Sequence, residues 1–196
     1  PTCHIAFDEA TAILAGDGLQ ALAFLQLAEL SGVAASTQVA MIAQLAKLAG
    51  CEGMVAGQAI DIAATGKQLD LDQLQQMHRL KTGALMEASV MLAALASGRA
   101  SAEQLQALQQ FAQALGLAFQ IQDDLLDIEG ETAQLGKLQG SDIARGKVTY
   151  PQLLGLEAAR SAAAQAHQAA LQALTLFDQR ADQLRALANY VITRSY

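Results

Sequence analysis

Cysteine is scarce in this chain of 196 residues: Cys3 and Cys51 are its only two, they stand far apart, and neither belongs to a CxxC. That argues against a disulfide framework and a cysteine zinc site, and a reduced, cytoplasmic setting is expected. Basic charge is short as well. Against 19 Asp and Glu stand 12 Lys and Arg, for a net charge of −7 with no basic cluster, so nucleic acid and anionic membrane surfaces are poor partners. Although 53% of the residues are hydrophobic, no run approaches the roughly 20 uninterrupted apolar residues of a membrane span, and stable membrane insertion is not expected. The apolar side chains must meet between helices instead. No Glu-x-x-His pair occurs, which disfavours a carboxylate-bridged di-iron bundle. No secretory or transit segment is visible.

What is present is helical periodicity over a length that suits one domain with a substantial core. Ala and Leu recur at i, i+3 and i+4 over 7–30. Projection of that helix surrounds Asp17 with Ala10, Ile13, Leu14, Ala21 and Phe24, so a buried carboxylate fixing helix contacts is expected there. Ser36 can cap a second helix over 36–63, in which Gly50, Gly53 and Gly57 allow close helix contact or room for a ligand. Gln58 and Asp61 share a face just beyond, which helix-to-helix hydrogen bonding would explain. Asp70 or Asp72 caps a third helix to about residue 96, stopped by Ser97-Gly98. Ser101, with Gln104 three residues on, opens a fourth that ends at Gly130. Thr149 caps a fifth with Pro151 in its first turn, Ala162 to Ala173 keep a helical pattern, and a last helix covers 178–194, six in all.

The fourth helix carries the unusual feature. Residues 119–127 read FQIQDDLLD, and at 100° per residue Gln120, Asp123, Asp124 and Asp127 fall within an arc of about 100°, away from Leu117, Ile121, Leu125 and Leu126. Like charges at i,i+4 cost roughly 0.2–0.5 kcal/mol per pair, and no Lys or Arg lies within one turn to offset them. Two readings follow from the residues: a solvated acidic stripe, or a divalent-metal site. Mg2+ suits the second, because it takes one or two carboxylates and completes its shell with water and phosphate. Lys81 is equally out of place among Leu74, Ala84, Leu85 and Ala88; its stem can cover apolar surface while the ammonium reaches water, or the charge can serve a site. His78 reads as structural. Between 131 and 148, Gly136, Gly140 and Gly146 alternate with Lys137, Arg145 and Lys147, a mobile basic loop suited to closing over phosphates.

Together FQIQDDLLD, LGKLQGSD and GKVTYPQLLGLEAAR, with PTCHIAFDEATAILAGDGLQALAF, GMVAGQAID and HRLKTGALMEASV upstream, resemble the trans-polyprenyl diphosphate synthases, most closely the bacterial geranyl/farnesyl diphosphate synthase type. The resemblance covers nearly the whole chain. It implies an all-α, isoprenoid synthase-type helical bundle in which an allylic diphosphate (dimethylallyl or geranyl) ionises and isopentenyl diphosphate attacks the carbocation. It implies Mg2+ on Asp123 and Asp127, with Asp124 supporting them. Lys81 and Lys147 would bind diphosphate, Lys147 being favoured over Lys137. The Thr82 oxygen would face the carbocation, Gln120 would aim its amide at the metal-bound diphosphate or the cation, and Gln58 and Asp61 would border the cavity from behind. A homodimer is implied too.

One departure stands out. The family sets two aspartate-rich faces across a cavity; only the second is found here, and the first normally lies just upstream of a segment like PTCH. The expectation is therefore a single partial domain over 1–196 with N-terminal helices missing, apolar surface exposed where they would pack, and no prenyl transfer by these residues alone. A terpene cyclase of the same fold is the alternative, although DDLLD does not match the Asn/Asp, Ser/Thr, Glu arrangement of its second metal motif. A non-catalytic subunit or module is the other.

Overall fold

The computed structural model describes residues 1–129 and 146–194, so most of the predicted basic loop, including Gly136, Lys137, Gly140 and Arg145, lies outside the described residues. Every regular element among the described residues is helical. The chain opens with a short turn of helix, α1 (Cys3–Ala6), and then α2 (Glu9–Ala28). Asp8 caps α2, accepting the Thr11 N–H at 2.7 Å and the Thr11 hydroxyl at 2.9 Å. No residue of α2 is buried. Phe7 is 73% exposed and Leu14 70%, in keeping with the expected uncovered apolar surface. Asp17 corrects the reading from periodicity: it is exposed, because projection identifies the apolar face of a helix but not whether anything covers it.

Gln38 ties α2 to the next helix by donating to the Ala28 and Leu30 carbonyls at 3.1 and 2.8 Å, satisfying acceptors that a helix end leaves open. The predicted second helix is two: α3 (Ala35–Ala49), which starts after Ala34 without a side-chain cap rather than at Ser36, and α4 (Met54–Ala64). The predicted third is α5 (Leu71–His78), a π-helical turn (Arg79–Gly83) and α6 (Ala84–Ser97), closed by Gly98 at φ 60°. Asp70 is its cap, in a capping box with Gln73 at 2.8 and 3.0 Å. Ser101 and Gln104 form the predicted box at the start of α7 (Ala102–Glu129), at 2.9 and 3.2 Å. After Thr149 come α8 (Tyr150–Leu154), a break at Gly155, α9 (Leu156–Ala173) and α10 (Asp182–Thr193).

The bundle is built on α7. Phe111, Leu115 and Ala118 pack with Ala166, Ala170, Leu174, Ala188 and Val191. Farther along, Ile121 and Leu125 pack with Leu74, Met77, Tyr150, Ala159 and Ala163. The Ala/Gln-rich stretch thus supplies a stripe of buried alanines, Ala159, Ala163, Ala166 and Ala170, whose small side chains let α9 lie close on α7. Glu87 is buried between α6 and α7 but satisfied, accepting from Gln109 at 2.6 Å and Gln113 at 2.9 Å.

Three segments, Glu9–Ala28, Ala35–Ala64 and Leu71–Ser97, are long and apolar enough to cross a membrane by length and composition. Their mean hydropathies of 1.2 to 1.3 arise from averaging over interrupted patterns, which is why a search for unbroken apolar runs passes over them. The second is broken between Ala49 and Met54, and the third contains the polar residues of the cleft described next.

Candidate active site

The π turn between α5 and α6 is the element that places the unusual lysine. Two glycines hold it. A Cβ on Gly57 of α4 would lie 2.1 Å from the Lys81 backbone nitrogen, and one on Gly116 of α7 would lie 3.0 Å from Gly83 Cα. Backbone therefore meets backbone on both sides of Lys81-Thr82, which resolves the open question about Gly57 in favour of close helix contact. A π turn widens the helix by one residue per turn and recurs at functional sites. Here it delivers Lys81 to a cleft of about 300 Å³, lined also by Asp61, Met77, His78, Gln120, Asp123, Asp124, Lys147 and Thr149.

Lys81 Nζ donates to Asp61 Oδ2 at 2.6 Å, so the ammonium neither stays with its apolar neighbours nor simply reaches water. Gln58, three residues before Asp61, is half-buried and does not line the cleft; the predicted pair is split. Thr82 Oγ1 donates to Gln120 Oε1 at 2.7 Å, joining the π turn to α7 and leaving the amide N–H groups of Gln120 uncommitted to it.

The three aspartates differ in environment. Asp123 lines the cleft with its side chain 39% exposed. Asp124 is 6% exposed and Asp127 1%, so the reading as a solvated acidic stripe does not hold. Among the described residues no group of three or more His, Cys, Asp and Glu side chains is placed to hold a metal by itself. Asp124 Oδ2 accepts the Tyr150 N–H at 2.9 Å and lies 3.8 Å from His78 Nε2, and the His78 ring stacks on Tyr150 at 5.9 Å between centroids. Burial pushes the Tyr150 phenol up to about 12, with the Asp124 charge adding to the rise and the Gln75 side chain opposing it.

Sequence reasoning missed Arg194. Its guanidinium donates to Asp123 Oδ1 at 3.2 Å and to the Phe119 carbonyl at 3.5 Å while lying 4.4 Å over the Phe119 ring. The residue is 71 positions away in the chain, and no local pattern marks it. His78, read from the sequence as structural, lines the cleft, with Tyr150 stacked on it.

The cleft suits a hard cation with an anionic oxygen ligand. Its acidic donors are carboxylate oxygens, which match Mg2+, and Lys81 and Lys147 flank them. His78 Nε2 on its wall is buried and makes no hydrogen bond, with only the Asp124 carboxylate at 3.8 Å, so polar contents suit the cleft better than apolar ones.

An all-α bundle with a polar cleft of lysines and carboxylates toward the C-terminal end of its longest helix has the architecture of the isoprenyl diphosphate synthases, and solved structures of such enzymes superpose on it. A putative farnesyl-diphosphate synthase from Marinomonas sp. MED121 matches with a TM-score of 0.85 and 42% identity, covering 98% of this chain and 66% of that one. A geranyltransferase from Helicobacter pylori complexed with magnesium and isoprenyl diphosphate matches with a TM-score of 0.83 and 32% identity, over 98% and 62%. The polyprenyl synthetase family pattern extends over residues 1–190, and the chain belongs to that family. It is 50% identical to the farnesyl diphosphate synthase of Escherichia coli (strain K12), over 100% of this chain and 67% of that protein. With that of Haemophilus influenzae it shares 47% identity over 99% and 66%. The chain spans about two thirds of the length of these relatives.

Proposed function

We propose that this chain carries the second aspartate-rich face of a short-chain trans-prenyltransferase, which joins an allylic diphosphate to isopentenyl diphosphate and releases pyrophosphate. The observation that carries this is the convergence of Lys81, Gln120, Asp123 and Lys147, from separate stretches of the chain, around one cleft, with Thr82 hydrogen-bonded to Gln120. Asp123, which lines the cleft, would hold Mg2+; Asp127, one turn along α7, is 1% exposed and outside the cleft lining, and would join it only if the end of α7 turned toward the ion. The ion supplies positive charge against the departing diphosphate. Lys81, held by Asp61 until phosphate oxygens compete for it, and Lys147 bind that diphosphate by charge-assisted hydrogen bonds. The Thr82 hydroxyl and the Gln120 amide, fixed to each other, present oxygen to the carbon from which it departs; oriented dipoles at a site of developing charge are a large source of rate.

A homodimer and a cytoplasmic setting, both in keeping with the family resemblance, complete the reading. The test is product formation from geranyl and isopentenyl diphosphates with Mg2+ by a chain extended to the length of its relatives. Asp123→Asn is expected to lower turnover at least ~10²-fold, since one such group is typically worth ~2.7–4 kcal/mol. Near-normal turnover by that variant at saturating Mg2+ would remove Asp123 from the site. A cyclic product formed without consumption of isopentenyl diphosphate would favour the cyclase.

A further inference from the structure

Asp124 has a different situation from its neighbour, and we infer that it is a positioning residue: its carboxylate clamps the first turn of α8 to α7 and thereby sets Lys147 at the cleft. The role assigned to Lys147 rests on the function proposed above; the clamp itself does not. Tyr150 is the first residue of α8, so its N–H has no acceptor within the helix. Thr149, the N-cap residue, pairs with Gln152 three residues on, and an N-cap side chain reaches only the second or third N–H of a helix, so it does not serve that of Tyr150. Asp124 Oδ2 takes that N–H from 26 residues away, at 2.9 Å.

The surroundings make the contact rigid. His78 lies against the same oxygen at 3.8 Å and stacks on the Tyr150 ring with an interplanar angle of 15°. Tyr150 is fully buried in the core formed with Leu74, Ile121 and Leu125. Lys147 stands three residues before Tyr150 and lines the cleft together with Val148 and Thr149, so its backbone is placed by whatever fixes the start of α8. The Asp124 side chain is 8% exposed with one oxygen committed, whereas that of Asp123 is 39% exposed.

Asparagine separates the two roles, because Asp124→Asn keeps an oxygen acceptor for the Tyr150 N–H and removes the charge, while Asp124→Ala removes both. In the 196-residue chain, hydrogen exchange of the Tyr150 amide should stay within about threefold of the parent in Asp124→Asn and rise more than tenfold in Asp124→Ala, because only the second leaves the buried N–H without an acceptor. Titration with inorganic pyrophosphate in excess Mg2+ gives the second arm. Lys147→Ala should weaken binding in the parent and in the Asp124→Asn background alike, and have no further effect in Asp124→Ala, as expected of coupled residues. Equal exchange in the Asn and Ala variants, or an undiminished Lys147→Ala effect in the Ala background, overturns the clamp. If Asp124→Ala loses its helical circular dichroism, Asp124→Leu, similar in shape and without an acceptor, replaces it. Failure of the parent to bind pyrophosphate would count against the proposed function, while the exchange comparison would still decide the clamp.

Discussion

At the scale of single residues the molecule separates side chains that the linear sequence groups together. Asp123, Asp124 and Asp127 form one stripe in projection, yet Asp123 is open to the cleft, Asp124 meets it only as a buried wall residue, and Asp127 is buried away from it. The difference comes from α8 and from Arg194, which approach α7 from distant parts of the chain. Tyr150 is where burial has its most measurable consequence. Its folded-state pKa of about 12 lies above the ordinary 10.0, so the folded chain retains the proton after the unfolded chain has lost it. The stability this contributes is complete below pH 10 and is lost as pH rises through 12. In urea titrations across that window the parent should lose up to about 1.4 kcal/mol per pH unit through this group, and Tyr150→Phe should lose correspondingly less. Equal slopes for the two proteins would mean that the phenol is not desolvated. The lysine–carboxylate cleft was legible from Lys81 in an apolar setting and from the aspartate run, and both stand out against their neighbours. Arg194 was not, because its partners are Asp123 and Phe119, whole helices away.

At the scale of elements, local chemistry foretold the helix starts that use local partners. The boxes Asp70/Gln73 and Ser101/Gln104 form with the predicted residues, since each needs only a four-residue span. The start at Ser36 was misplaced, and the π turn was invisible. Its residues Arg79–Gly83 have ordinary helical composition, and its tight packing involves Gly57 and Gly116 on other helices. That packing makes the glycines unequal. Gly57→Ala would place a methyl group 2.1 Å from the Lys81 nitrogen, and overpacking of this kind costs about 1–3 kcal/mol. Gly16→Ala on α2, where nothing lies within 4 Å of the added carbon, should stabilise by about 0.5–1 kcal/mol through helix propensity. Thermal denaturation of the two variants should therefore show midpoints on opposite sides of the parent. A Gly57→Ala midpoint at or above that of the parent would show that α4 and the π turn are not in backbone contact.

At the scale of the whole molecule, the described residues divide into a bundle packed around α7 and an N-terminal hairpin whose first helix buries nothing. The all-α class was legible because periodicity of Ala and Leu reports helices directly. The exposure of α2 was foreseen only through the family resemblance, since an apolar helix face looks the same in sequence whether or not something covers it. The central claim is that the cleft between Lys81 and Asp123 is a magnesium-dependent diphosphate site. It is tested most directly by calorimetric titration of inorganic pyrophosphate into the chain, with and without Mg2+, in the parent and in Lys81→Met, which keeps an apolar stem and removes the ammonium. The account predicts saturable binding that requires Mg2+ and is weakened at least tenfold, about 1.4 kcal/mol, in Lys81→Met. Binding of equal strength without Mg2+, or unchanged by Lys81→Met, would contradict it.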